Sequence, residues 1–251
     1  MKFTAGAIVV SLLVLPACET TLNRRAGKTQ ETKEVTRMEM TVKKIGDFDL
    51  TGNGSAAAWK TADWQPMTRV NGPGAYATRA KVLYSNTGIY FLVDCEDKKL
   101  TCTMTQDFDN IFQEDVVEVF LWPEEGENFY FEYEISPLGV QLPILVGNHD
   151  GGFMGWLPWH FSGGRRTRIA TSARGGKKSS MAEVEGWTTE FFIPFALLRG
   201  LGNVPPKPGG TWRANIYRID YDADEPSQWA WDNAIGTNFH DFRNFGTIVF
   251  E

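Results

Sequence analysis

Paired carboxylates are the residues of this chain best suited to chemistry, because glycoside hydrolysis needs two of them facing each other across a cleft. Glu118 and Glu134 lie in two segments of alternating hydrophobicity and would come close if those segments paired as strands. Carboxylates on the outward face of a strand pair more often bind water, cations or the hydroxyl groups of sugars. The pattern therefore favours binding, and hydrolysis by this pair is the alternative.

The common catalytic motifs are missing from the sequence. It contains no Gly-x-Ser-x-Gly nucleophile elbow, no phosphate-binding glycine-rich loop and no His-Glu-x-x-His helix. The three histidines, His149, His160 and His240, are far apart and lack the spacing of metal ligands. We therefore predict that the protein is not an enzyme.

A second acidic group is concentrated between residues 94 and 115. Its candidate metal ligands are Asp94, Glu96, Asp97, Asp109 and Asp115. Hard oxygen ligands suit Ca²⁺, so the group predicts a structural calcium site. The EF-hand spacing is absent, and a solvated acidic loop is the alternative.

The N-terminus has the pattern of an export signal. Lys2 precedes an uncharged run from Phe3 to Leu15, which is too short to span a bilayer because a span needs about 20 apolar residues. The run ends in Leu-Pro-Ala-Cys and resembles the lipobox of bacterial lipoproteins. We expect a signal peptide over residues 1–17, a lipidated Cys18 and a polar tether over residues 18–42. The anchor would attach the protein to a membrane of the bacterial envelope, facing the periplasm or the cell surface.

Two further cysteines, Cys95 and Cys102, would enter a compartment that tolerates disulfides. They could bond to each other or remain as two buried thiols, and the sequence leaves both possibilities open.

Composition limits the partners of the chain. The formal net charge is -6 and the basic residues form no stripe, so we expect no nucleic-acid binding. Nine Trp, seventeen Phe and seven Tyr are many for one domain. Aromatic rings of this number serve both cores and sugar-binding faces.

Strands are the elements that must position these residues. Segments 79–84 and 89–95 flank a Ser-Asn-Thr-Gly turn and predict a hairpin. Segments 115–122 and 129–136 alternate apolar and polar residues with the period of a strand. Three later segments are rich in aromatic and β-branched residues, as strands are: 186–193, 211–221 and 246–250.

These strands predict an all-β domain over residues 43–251, an antiparallel two-sheet β-sandwich of the immunoglobulin-like or jelly-roll type. We expect one or two short helices, one of them at Pro194–Arg199, where Pro begins the segment and Gly200 follows it. The stretch from Gly147 to Lys178 is rich in Gly, Arg and Ser, and we expect it to be a long surface excursion.

Several segments in the same order resemble family 9 carbohydrate-binding modules over the whole mature domain. They are Ile45–Asp49 with Trp59, Glu114–Leu121, Tyr130–Gly139, Gly186–Phe195, Trp212–Arg218 and Phe245–Phe250. The resemblance implies a β-sandwich, structural calcium, and a slot in which two aromatic side chains clasp a terminal sugar. The expected ligand is a glucan- or xylan-type oligosaccharide.

The resemblance also implies roles for individual residues. Phe112 and Phe239 match the two clasping positions, where the best-known members carry Trp, and Glu118 matches an acceptor for sugar hydroxyls. Glu134 stands where those members carry an arginine. Four tryptophans are further candidates for stacking on the sugar, and we include Trp231 in the predicted site; the others are Trp156, Trp159 and Trp229.

Two other functions compete with sugar binding. The first is a glycan-processing hydrolase, or its accessory subunit, that uses Glu118 and Glu134. The second keeps the sandwich without a sugar, as an envelope scaffold or a redox-type ligand binder.

Overall fold

Fourteen strands form the regular structure of residues 37–251, the part of the chain that the computed structural model describes. They are β1 (Glu39–Lys44), β2 (Gln65–Pro66), β3 (Thr68–Asn71), β4 (Thr78–Tyr84), β5 (Gly88–Glu96), β6 (Val116–Trp122), β7 (Phe129–Ile135), β8 (Gln141–His149), β9 (Gly152–Pro158), β10 (Arg168–Arg174), β11 (Gly186–Pro194), β12 (Thr211–Asp220), β13 (Ser227–Ala230) and β14 (Gly246–Phe250). The predicted signal peptide and Cys18 lie outside the described residues. No helix within residues 37–251 is long and apolar enough to cross a membrane.

The strands hydrogen-bond into one curled, mixed sheet with the order β10-β11-β5-β4-β1-β14-β12-β6-β7-β8-β9. β1 is parallel to both of its neighbours, whereas the other strand pairs of the described chain are antiparallel. Residues 39–42 pair with β14 and residues 43–44 pair with β4, so β1 passes from one half of the sheet to the other. The all-β prediction is confirmed. The prediction of an antiparallel two-sheet sandwich is not confirmed, because the sheet is mixed and β1 joins its two halves in parallel.

The main core lies between the two halves of the sheet. Val82, Phe91 and Phe191 come from the half that contains β4, β5 and β11, and Val119 and Ile216 come from the half that contains β6 and β12. Burying an apolar side chain of this size stabilises the fold by about 1.5–3 kcal/mol, so this cluster holds the two halves together.

The alternation predicted for β6 and β7 is confirmed, and it gives these strands two buried faces. Val117, Val119 and Leu121 point into the main core. Val116 and Phe120 point the other way, into a second apolar cluster on the outer side of the sheet. Because side chains alternate along a strand, Glu118 shares this outer side with Phe120.

Loops cover the outer side of β6 and β7. Ile111, Phe239, Phe242 and Phe245 pack there against the strand residues and are buried. Two of these residues lie in 3-10 helices, Ile111 at Ile111–Gln113 and Phe242 at Phe242–Asn244. The loops around residues 111 and 239 therefore stand above strand residues that would otherwise face solvent.

Several predictions of local structure differ from the structure. Pro194–Arg199 is a turn rather than a helix, in which Leu197 N–H donates to the Pro194 carbonyl at 2.8 Å. The short helices within residues 37–251 are all of the 3-10 type: Ala57–Thr61, Ile111–Gln113, Gly163–Arg165, Asn233–Ile235 and Phe242–Asn244. The expected excursion from Gly147 to Lys178 contains β9 and β10. β1 begins at Glu39, so it includes residues that the sequence assigned to the tether.

Cys95 and Cys102 are both free and buried, so the possible disulfide is not formed. Cys95 lies on β5 in the main core, and Cys102 Sγ donates to the Leu100 carbonyl at 3.6 Å. Burial raises the pKa of each thiol to about 12. Both side chains serve as small apolar core residues.

Candidate functional site

A cavity of about 440 Å³ opens on the outer side of β6 and β7. Its floor carries three glutamates, Glu118, Glu132 and Glu134, and we therefore name it the glutamate cavity. Its walls are Phe112, Ile144, Phe153, Trp156, Ile219 and Phe239, and its remaining polar residues are Gln228, Thr237, Asn238 and His240. Apolar walls with a few convergent polar groups are typical of small-ligand sites.

Strand register brings the three glutamates together. Glu118 on β6 lies directly opposite Glu134 on β7, and Glu132 is two residues along β7 on the same face. The three residues are only 3%, 4% and 1% exposed, respectively. The floor therefore holds three carboxyl groups that are shielded from bulk water.

Three carboxylate oxygens on this floor are buried without a hydrogen-bond partner: Glu132 Oε2 and both Oε1 and Oε2 of Glu134. Burial, together with repulsion from neighbouring glutamates, raises the pKa of Glu118 and Glu134 well above the usual value. Burial raises the pKa of Glu132 to about 8. A buried polar group without a partner is costly, so these oxygens are the strongest sign that a ligand completes the cavity.

His240 forms one edge of the cavity in its neutral state. Burial lowers the pKa of His240 to about 4. Its Nδ1 is hydrogen-bonded to the Tyr130 hydroxyl and lies 3.9 Å from Glu132 Oε2. The imidazole therefore brings a polar group to the cavity but no positive charge.

The aromatic walls are held by the surrounding structure. Phe239 stacks on Tyr217 with ring centroids 4.0 Å apart, and its carbonyl accepts from the Tyr217 hydroxyl at 3.2 Å. The Phe112 carbonyl accepts a hydrogen bond of 2.8 Å from the Tyr221 hydroxyl. Phe112 is partly buried, and Phe239 is 7% exposed. These contacts hold the Phe239 ring and the Phe112 backbone beside the glutamates.

Four of the five residues predicted to contact sugar line this one cavity: Phe112, Phe239, Glu118 and Glu134. Trp231 does not. It is 2% exposed in the main core, where a Cβ on Gly246 would lie 2.6 Å from its ring. We correct the prediction for Trp231, because its position on the inner side of the sheet leaves it no access to a ligand.

Sequence reasoning missed other members of the cavity. Glu132 shares the β7 face with Glu134, and the two-residue period of that strand is the signal that could have identified it. Trp156 was one of four tryptophan candidates, and its position depends on β9, which pairs it with Val146 of β8. The role of His240 depends on a contact with Tyr130 that no local pattern predicts.

The five predicted calcium ligands do not converge on one point. Asp94 pairs with Arg79 at 2.9 Å and also with Arg174. Glu96 accepts from the Ala77 N–H at 2.9 Å, and Asp109 accepts from the Gln106 N–H at 3.0 Å. Each of these three carboxylates is thus bound to a different partner within the protein.

The other two predicted ligands are buried. Asp115 accepts from the backbone N–H groups of Thr101 and Tyr221 at 2.6 and 2.8 Å. Asp97 instead joins Asp220 and Asp222, and one carboxylate oxygen of each lies within 4.8 Å of the others. Among the described residues, this trio is the one acidic group with the geometry of a metal site. We name it the aspartate cluster.

Arg218 lies beside the aspartate cluster and is fully buried. Its Nη2 donates to Asp97 Oδ2 at 3.2 Å and to Asp220 Oδ2 at 2.7 Å. Asp222 Oδ2 accepts from the Tyr76 hydroxyl at 2.6 Å, and Asp222 Oδ1 is buried without a partner. Three carboxylates against one guanidinium leave the cluster negatively charged.

The geometry of Glu118 and Glu134 does not resemble that of a hydrolase. Catalytic carboxyl groups stand on opposite sides of a glycosidic bond, with one of them ionised. Here both side chains rise side by side from adjacent strands, and burial raises the pKa of each well above the usual value. The pair can accept or donate hydrogen bonds, but it lacks an ionised nucleophile opposite an acid.

A second cavity, of about 510 Å³, lies on the other half of the sheet. Trp64, Arg79, Asp94 and Arg174 are among its lining residues. The Arg79 guanidinium lies 4.2 Å from the Trp64 ring centroid. Most of the charged groups there are paired with each other, in contrast to the glutamate cavity.

The fold is similar to that of several solved structures. A candidate carbohydrate-binding protein from Bacteroides uniformis has a TM-score of 0.68 at 19% identity, with 86% of this chain and 100% of that chain covered. A family 9 carbohydrate-binding module from Caldicellulosiruptor kristjanssonii, in complex with cellotriose, has a TM-score of 0.60 at 13% identity and covers 85% of this chain and 94% of that chain. The same kind of module from that organism, in complex with glucose, has a TM-score of 0.58 at 13% identity and covers 85% and 96%. No curated protein matches the sequence.

The family model for carbohydrate family 9 binding domain-like proteins matches residues 50–251, which include every residue of the glutamate cavity. Carbohydrate-binding modules of this family bind sugars without catalysing a reaction, in agreement with the side-by-side arrangement of the glutamates. The chain therefore belongs to the carbohydrate family 9 binding domain-like family.

Proposed function

We propose that the domain binds the end of a glucan- or xylan-type oligosaccharide in the glutamate cavity. The observation that carries this proposal is the convergence of Phe112, Phe239, Glu118 and Glu134 on one cavity that also holds unpartnered carboxylate oxygens. A pyranose has an apolar face of C–H groups, which packs on aromatic rings, and a rim of hydroxyls, which exchange hydrogen bonds with carboxyl groups. The cellotriose and glucose complexes of the similar modules support the same ligand class.

Replacing Phe112 with alanine is expected to weaken cellotriose binding roughly tenfold, which is about 1.4 kcal/mol. The ring is a partly buried wall of the cavity, so its removal deletes contact area without opening the core. Isothermal titration calorimetry measures the effect. Phe108→Ala is the matched control, because Phe108 is 36% exposed and does not line the cavity.

Two results would count against this prediction. Equal affinity in Phe112→Ala and the wild type would remove Phe112 from the site, and no binding of any glycan would remove the function. Phe239→Ala is less suitable as a test of binding, because this substitution also affects the stability of the fold. Loss of its stacking on Tyr217 is expected to destabilise the fold by about 3 kcal/mol as well as weaken binding.

We further propose that the aspartate cluster holds a structural calcium ion. Asp97, Asp220 and Asp222 offer hard oxygen ligands at suitable spacing, and the unpartnered Asp222 Oδ1 supports the assignment. Calcium is expected to raise the melting temperature, and a chelator is expected to lower it. Asp222→Asn should reduce that difference. An unchanged melting temperature with calcium and with chelator would exclude the site.

The proposed cellular setting is the bacterial envelope, with a lipid on Cys18 as the anchor. The apolar run and the Leu-Pro-Ala-Cys segment support it. Palmitate labelling of the full chain that is lost in Cys18→Ser would agree with the proposal, and a protein that remains unlabelled would contradict it.

A further inference from the structure

The acidic lining of the glutamate cavity supports an inference about its ligand, and this inference rests on the proposed function. Glu118, Glu132 and Glu134 all line the cavity, and no Lys or Arg is among its described lining residues. The nearby imidazole of His240 is neutral near pH 7, because burial lowers its pKa to about 4. The cavity thus holds three acidic groups without a cation of its own.

Burial raises the pKa values of the glutamates, so near pH 6.5 they hold protons in place of a cation, and a neutral sugar leaves them protonated. Hydroxyl groups can exchange hydrogen bonds with the protonated carboxyl groups, but they supply no charge that would allow a carboxyl group at most 4% exposed to ionise. Burying a charge without a partner costs much more than burying a hydrogen-bonded polar group. A positively charged ligand group would take the place of a proton, because it stabilises the carboxylate that forms when a glutamate ionises.

A single metal ion fits the three glutamates poorly. Within residues 37–251, the one acidic trio with oxygens close enough to surround an ion is the aspartate cluster, which lies elsewhere. The three glutamates offer no such set of oxygens, so a larger ligand with several donor groups suits them better.

The aromatic walls of the cavity favour a ligand that carries its positive charge next to an apolar surface. Phe112, Trp156 and Phe239 present aromatic rings beside the glutamates. Aromatic faces attract cations as well as sugar C–H groups. An amino sugar combines these features, because its ring carries an ammonium group next to hydroxyls and an apolar face.

We propose that the glutamate cavity selects a glycan that ends in a non-acetylated amino sugar, whose ammonium group is bound by Glu118, Glu132 and Glu134 between the aromatic walls.

Three β-1,4-linked disaccharides that differ at C2 test this selectivity by calorimetry at pH 6.5. They are the glucosamine disaccharide, its N-acetylated form and cellobiose, which carry ammonium, acetamide and hydroxyl groups, respectively. We expect the glucosamine disaccharide to bind at least tenfold more tightly than the other two. Its binding should release a proton, because a glutamate ionises beside the ammonium group, so the measured binding enthalpy should depend on the buffer, whereas cellobiose should bind without this dependence.

Substitution of one carboxyl group tests the residues. Glu134→Gln keeps the shape of the side chain and is expected to reduce the preference for the glucosamine disaccharide at least fivefold. Glu39→Gln is the control, because Glu39 is exposed on β1. Cellobiose binding as tight as that of the glucosamine disaccharide would overturn the amino-sugar inference and leave the proposed function intact. Failure of all three disaccharides to bind would overturn both.

Discussion

Replacement of Arg218 with alanine is expected to lower the free energy of unfolding by about 3–5 kcal/mol. The guanidinium is fully buried and donates to Asp97 Oδ2, Asp220 Oδ2 and Thr78 Oγ1. It also lies 4.8 Å from the Trp229 ring centroid. Without it, two buried aspartates lose their only charged hydrogen-bond donor in the described part of the chain.

Urea denaturation in calcium-free buffer, followed by tryptophan fluorescence, measures this loss. Arg79→Ala is the matched control: Arg79 pairs with Asp94 at 2.9 Å, but its side chain is 50% exposed. An exposed ion pair contributes at most about 1 kcal/mol, so Arg79→Ala should lower the free energy of unfolding by no more than that. Equal losses in the two variants would show that Arg218 does not neutralise the buried aspartates. If Arg218→Ala does not fold, Arg218→Lys, which keeps the charge, should fold with intermediate stability.

The free energy of unfolding is expected to fall by roughly 2 kcal/mol or more as the pH rises from 6.5 to 8. Burial raises the pKa of Glu132 from 4.5 to about 8, so the folded protein keeps a proton that the unfolded chain releases above pH 4.5. The stability due to this group is complete below pH 4.5 and is lost as the pH rises through about 8. Asp97 and Asp115, with pKa values raised to about 7 and 9, act in the same direction.

His240 contributes with the opposite sign in a lower pH range. Burial lowers its pKa from 6.5 to about 4, so between those pH values the unfolded chain binds a proton that the folded protein does not. The free energy of unfolding therefore rises with pH in this range. Above pH 6.5 this contribution is constant, and the decline caused by the carboxyl groups remains.

Glu132→Gln tests the assignment of the pH dependence to the cavity. The variant is expected to be more stable than the wild type at pH 8 and to show a smaller decline between pH 6.5 and 8, as measured by urea midpoints. Glu39→Gln should keep the wild-type profile because Glu39 is exposed. A wild-type stability that is constant or rises over this range would contradict the buried, protonated glutamates.

Much of the sheet could be predicted from local sequence, because the alternation of apolar and polar residues along a strand indicates which side chains are buried. The alternation over 115–122 and 129–136 gave both strands and both of their faces. β1 could not be predicted in the same way, since its parallel pairing with β4 and β14 depends on residues far along the chain. β9 and β10 were missed because their many Gly, Arg and Ser residues are typical of loops, and pairing with β8 and β11 decides their structure.

The candidate site was predictable in part for similar reasons. Phe112 and Phe239 came from the family resemblance, whereas their common cavity depends on two loops that fold over β6 and β7. Asp97 was identified from an acidic loop, but its neighbours Asp220 and Asp222 come from a distant segment. Trp231 shows the limit of composition, because an aromatic residue next to a strand, as Trp231 is next to β13, can face either the core or a ligand.

Glycan binding in the glutamate cavity is tested most directly by a crystal structure of the domain with cellotriose bound. We predict a terminal sugar ring against Phe112, Trp156 or Phe239, with hydroxyls donating to Glu118, Glu132 or Glu134. A sugar seated instead beside Trp64 in the second cavity, with the glutamate cavity filled only by water, would contradict this function for the glutamate cavity.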